Sequence, residues 1–110
     1  MATFILSFRI DLDATYQARY ASTVSAIRAE AKNGRWWDET TSYFLIEADK
    51  TADSLARSVY LRADLDLSKD ALLVVNVTNN SHATLGRFDE PGKLASFFPT
   101  NALARIVAGL

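Results

Sequence analysis

Hydrophobic and polar positions alternate from Thr3 to Asp13 (TFILSFRIDLD). Phe4, Leu6, Phe8, Ile10 and Leu12 fall on one face, and Thr3, Ile5, Ser7, Arg9, Asp11 and Asp13 on the other. A period of two in β-branched and aromatic residues predicts a strand with one buried face. The second face passes from apolar to charged along its length. Arg9, Asp11 and Asp13 therefore gather where the chain leaves this strand.

The period then changes to that of a helix. Tyr16, Tyr20, Val24, Ile27 and Ala31 form one stripe, with Asp13 or Thr15 as the cap and an end near Lys32. Asn33-Gly34 supplies the left-handed conformers that close it. Two aromatic, β-prone runs follow, one at Trp36-Trp37 and one at Ser42–Glu47, with the polar stretch Asp38–Thr41 between them. A hairpin fits this pattern, and one long bent strand is the alternative. A second helix begins at the cap Thr51, with Asp53 in its first turn and a stripe of Ala52, Leu55, Ala56, Val59, Tyr60 and Ala63. Ala71–Thr78 (ALLVVNVT) is an apolar run of strand length, and apolar character on both faces predicts either cover on both sides or a second face that meets a partner chain. Residues 79–83 are predicted as polar loop. Beyond Thr84 the pattern weakens: Pro91-Gly92 and Pro99 break it, Lys93–Phe98 has room for a turn or two of helix, and Thr100 can cap a last helix over Asn101–Ala108.

Strand, helix, strand, strand, helix, strand is the order of an α+β domain of the ferredoxin-like β-α-β-β-α-β type. Two helices cover one face of an antiparallel sheet, and a tail with a short helix follows. The expectation is a single domain over residues 1–110, with a core at 1–85 and an extension at 86–110. The uncovered sheet face would carry Ile5, Ser7, Arg9, Tyr43 and Leu45, together with one tryptophan. That is too apolar for water, and its predicted occupant is a second copy of the chain.

Composition narrows the chemistry. The 110 residues are 49% hydrophobic and include no cysteine, which excludes disulfides, zinc–thiolate sites and cysteine nucleophiles. Twelve Lys+Arg against thirteen Asp+Glu leave a net charge of −1, so nucleic-acid binding would need a local patch. No run is apolar for long enough to span a membrane, and no signal peptide is read at the start. The expected setting is soluble and cytoplasmic.

The runs ILSFRIDLD, the Trp36-Trp37 pair, YFLIEADKTADSL and ALLVVNVT resemble the small ferredoxin-like proteins of the CRISPR-associated endoribonuclease superfamily, in particular its SinR-like bacterial members. The resemblance covers about the first three quarters of the chain. It implies a homodimer built on paired sheets. In active members, it also implies an aspartate near the end of the first strand, one from each protomer, holding a metal ion for phosphodiester cleavage. Two alignments are open. Matching Ser7-Phe8 to the family's Ser-aromatic-Asp motif puts Arg9 in the aspartate's place, and a guanidinium cannot ligate a cation. A shift of two residues offers Asp11 instead. The first alignment keeps the register of the whole strand and is favoured.

The favoured expectation is a dimeric domain that acts by binding nucleic acid or protein, with weak or no catalysis and no cofactor. The alternative is a magnesium-dependent endoribonuclease with Asp11 as the catalytic residue from each of two protomers, and Asp11 and Asp13 as metal ligands. Against that stands an ordinary ion pair between Arg9 and Asp11, with Asp13 as helix cap. Arg9, Arg19, Arg28 and Arg35 are the candidate phosphate contacts. Of the two tryptophans, one is expected on the open face and the other in the core beneath the first helix. His82, the single histidine, is read as a loop residue.

Overall fold

A computed structural model describes residues 1–98 of the chain. The fold is α+β: a five-stranded antiparallel sheet with two long helices on one face. Its elements are β1 (Ala2–Arg9), α1 (Tyr16–Glu30), β2 (Trp36–Trp37), β3 (Tyr43–Ala48), α2 (Ala52–Arg62), β4 (Ala71–Asn76), β5 (Ser81–Gly86) and the short α3 (Pro91–Ala95). The order across the sheet is β2-β3-β1-β4-β5. The first four strands reproduce the ferredoxin-like arrangement, and β5 extends it along the free edge of β4. The helix expected over Asn101–Ala108 lies outside the described residues.

β1 is central because it alternates most cleanly. Phe4, Leu6 and Phe8 are buried against the helices, while Ile5 and Ser7 stay half-exposed on the other face. Their partners keep the same parity: Phe44, Ile46 and Ala48 of β3, and Leu72 and Val74 of β4, are buried. Ala26 and Ile27 of α1 and Leu55 and Val59 of α2 close the core above them. Burying a large apolar side chain contributes about 1.5–3 kcal/mol, so this one layer supplies most of the drive to fold.

The local signals place the helices well. Thr51 and Ser54 form a reciprocal capping box: Thr51 Oγ1 accepts from the Ser54 amide at 3.1 Å, and Ser54 Oγ accepts from the Thr51 amide at 2.9 Å. A turn of 3-10 helix at Lys32–Gly34 ends α1, with Asn33 and Gly34 both at positive φ. Thr15 occupies the cap position of α1 without a side-chain cap bond, and Asp13 instead accepts from the Thr15 amide and hydroxyl.

Four expectations are corrected. Residues 81–86 form β5 rather than loop and tail, because Asn76 Oδ1 accepts the amides of Thr78 and Asn79 and Asn80 takes a left-handed φ, closing a hairpin with no glycine. Pro91 starts α3 instead of breaking structure; its missing amide costs nothing in the first turn. The buried face of α1 is rotated toward Arg19, Thr23 and Ala26, since Asp70 neutralises an arginine there. Tyr60, expected in the stripe of α2, stays exposed. Among the described residues no helix is long and apolar enough to cross a membrane.

Candidate functional site

The charged exit of β1 is built around a buried carboxylate that the linear pattern does not show. Asp70, just before β4, is wholly buried. Arg19 of α1 is only 6% exposed and reaches it with Nη1 at 2.5 Å from both carboxylate oxygens. Asp70 also accepts the amides of Asp11 and Asp66, each at 2.9 Å. Arg19 Nη2 in turn donates to the Asp11 carbonyl at 2.9 Å and pairs with Asp13 at 2.8 Å. The peptide of Asp11 is therefore held from both sides by one ion pair, while its carboxylate stays exposed and pairs with no other described side chain.

Protonation follows from these contacts. Burial pushes the Asp70 carboxyl up, but the Arg19 guanidinium and the two amides outweigh it and hold the group below its usual range. The Lys69 ammonium, then Arg19, hold Asp13 far below that range. Asp13, expected as a metal ligand beside Asp11, is thus already engaged by two cations. Among the described residues no group of three or more His, Asp or Glu side chains is placed to hold a metal ion.

The ion pair expected between Arg9 and Asp11 is not formed. β1 ends at Arg9, so the ladder that would keep residues two apart side by side stops there. Arg9 is exposed and donates through Nη2 to the Arg87 carbonyl at 2.9 Å, tying the end of β1 to the chain leaving β5. That crossing is tight. Gly86 has a φ of +93°, and a Cβ there would lie 2.0 Å from the Asp70 carbonyl oxygen.

The four candidate arginines do not share a surface. Arg19 is buried in the ion pair above, a correction to its expected exposure: a carboxylate from a distant loop makes that burial tolerable. Arg28 holds Asp38 at 2.6 Å and lies 5.6 Å over the Trp36 ring. Arg35 pairs with Glu47 at 2.5 Å, near the start of β1, and Arg9 marks its other end. Seven strand residues separate those ends by about 20 Å.

The uncovered face of the sheet is the second feature. Cross-strand register aligns Trp37, Leu45, Ile5, Val75 and His82 in one row across all five strands. Tyr43, Ser7, Leu73 and Thr84 form the next row. Ile5, Ser7, Tyr43 and Leu45 are half-exposed on this face, and the exposed Arg9 stands at its border. Neither tryptophan is a core residue. Trp36 is 41% and Trp37 38% exposed, because β2 is a two-residue strand at the edge of the sheet, with no further strand beyond it among the described residues. Trp37 meets Tyr43 edge-on at 6.3 Å, and a hollow of about 390 Å³ opens beside both tryptophans, Leu45 and the Arg35–Glu47 pair.

His82 lies on β5 rather than in a loop, and its ring stacks on Phe98 with centroids 4.2 Å apart. Ser81 pairs with Asn76 and His82 with Val75, so the two adjacent side chains point to opposite faces and cannot form a nucleophile pair. Sequence reasoning missed Asp70, Lys69 and Phe98 as contributors. The last aspartate of the aspartate-rich stretch 64–70, directly before an apolar strand, was the available signal for the first, and it names no partner. No family model, curated protein or solved structure matches the chain.

Proposed function

We propose that this domain acts by binding rather than by catalysis, as a homodimer whose protomers join their uncovered sheet faces. The row Trp37, Leu45, Ile5 and Val75 carries this reading. Four large apolar side chains stand in line on a face that neither α1 nor α2 covers, and such rows favour a protein partner. A twofold axis through Ile5 would set each row against its own copy. The resemblance to the CRISPR-associated endoribonuclease superfamily supports the same pairing. Protein is favoured over nucleic acid as the bound partner, since Arg19, Arg28 and Arg35 are each neutralised by a carboxylate. Sedimentation velocity from micromolar to submillimolar concentration tests it. A dimer that Ile5→Asp converts to monomer is the expected result, and a monomer throughout the range refutes the reading.

A second reading is favoured by one observation, the exposed carboxylate of Asp11 on a peptide clamped by Arg19 and Asp70. Held that way, one Asp11 from each protomer would supply oxygen ligands for magnesium in an endoribonuclease. Incubating RNA with magnesium and either the native chain or Asp11→Ala decides it. Cleavage lost in the variant supports the nuclease, and equal or absent cleavage removes it.

A further inference from the structure

The hollow at the β2 edge is walled by side chains that the fold holds in place. It measures about 390 Å³, and small-molecule sites begin at about 300 Å³. Trp37 forms one wall. Its Nε1 donates to Glu39 Oε2 at 2.6 Å and its ring meets Tyr43 edge-on, so the indole is pinned at two points despite its exposure. Trp36, also in the lining, is covered by the Arg28 guanidinium. Aromatic walls fixed before binding lower the ordering cost of a ligand. Leu45 lines the hollow beside Trp37, its partner in register. The next row along the strands is polar: the Arg35 carbonyl accepts from the Glu47 amide at 3.4 Å, and Glu47 pairs with Thr3. Arg35 reaches Glu47 through Nε alone, at Oε1, which leaves both Nη groups and Oε2 without a partner among the described residues. Donors and an acceptor therefore stand side by side, two strand residues or about 7 Å along from the indole.

We infer that this hollow binds a guanine-type ring, with a free guanine nucleoside as the ligand. The face of the ring lies on Trp37, as an indole accepts the π-face of a base. Its edge meets the polar row. Guanine carries acceptors at O6 and N7, which suit a guanidinium, beside donors at N1 and N2, which suit a carboxylate. Arg35 Nη and Glu47 Oε2 are the complement. Adenine offers a carboxylate one amine and no second donor beside it. An uncharged ring also fits the electrostatics, because the lining cation among the described residues, Arg35, already faces Glu47 and is not free to neutralise a phosphate. The lining residues belong to one protomer, so the assignment stands apart from the dimer reading.

An NMR titration of the full-length chain with guanosine, inosine and adenosine tests it, following the backbone amides and the two indole N–H signals. Guanosine is expected to bind saturably, with a Kd below about 1 mM. Inosine, which lacks the N2 amine, and adenosine should bind about tenfold more weakly. Trp37→Ala should weaken guanosine binding about tenfold or more, through the lost stacking surface. Glu47→Gln keeps the side-chain volume and should abolish the preference for guanosine over inosine. Circular dichroism checks that both variants fold, and Glu47→Gln decides alone if Trp37→Ala does not. No saturable binding of guanosine up to about 1 mM, equal affinity for the three nucleosides, or a preference for guanosine that survives Glu47→Gln overturns the inference. A short single-stranded RNA with one guanine should bind no more tightly than guanosine; tighter binding would make RNA the ligand and overturn the free nucleoside.

Discussion

Replacing Asp70 by Asn tests the central electrostatic claim without changing side-chain volume. Asp70 is wholly buried and accepts from Arg19 and from the amides of Asp11 and Asp66. The amide keeps one acceptor oxygen but turns a donor toward groups that are themselves donors, and it leaves the Arg19 cation inside the fold with less compensation. Breaking one side of a buried ion pair costs about 3–5 kcal/mol. Arg19 retains Asp13, which is partly exposed, so the lower end, about 3 kcal/mol, is expected. A domain of this size loses about 4 °C of melting temperature per kcal/mol, giving a fall of about 12 °C. Thermal unfolding followed by far-UV circular dichroism reads it; the exposed tryptophans at the sheet edge make fluorescence a poorer reporter. Asp13→Asn, at the open rim of the same cluster, should cost less. The double change Arg19→Met, Asp70→Leu should not restore full stability, because it removes the acceptor of two backbone amides. A fall of less than about 4 °C for Asp70→Asn would mean that the pair contributes under 1 kcal/mol and would refute the reasoning.

Gly86→Ala should be more damaging than its size suggests, at least about 2 kcal/mol, since the added carbon would meet the Asp70 carbonyl from a left-handed backbone; a melting temperature within error of native would contradict this. Thr51→Ala removes half of the capping box and should cost about 1 kcal/mol in urea unfolding, with an unchanged slope. Acid should destabilise the fold, because Asp13, Asp49, Asp66 and Asp70 all titrate below the ordinary 3.8 when folded. Their contribution is complete above that value and is lost as pH falls through the folded ones. The contribution of Lys69 runs the other way: raised chiefly by Asp13, it is complete below the ordinary 10.5 and lost as pH rises through its folded value. Melting temperature should therefore hold between those limits and fall on either side.

Every element that relies on local patterning could be read from the chain itself. Alternation in β1, the stripe of α2, the Thr51 cap and the Asn33-Gly34 stop are each set by residues within a few positions of one another, and their order alone specifies the ferredoxin-like arrangement. β5 escaped because SHATLG carries a single large apolar side chain, Leu85, and only the neighbouring edge of β4 gives it a ladder to join. Arg19 escaped for a related reason. An arginine in a helix has the same local signature on the surface or in the core, and a carboxylate fifty-one residues away decides which. Tertiary structure likewise held the Asp11 peptide, engaged Asp13 with two cations and dispersed the arginines. Periodicity records which face a residue occupies, whereas charge is settled by the partners that distant segments bring to it.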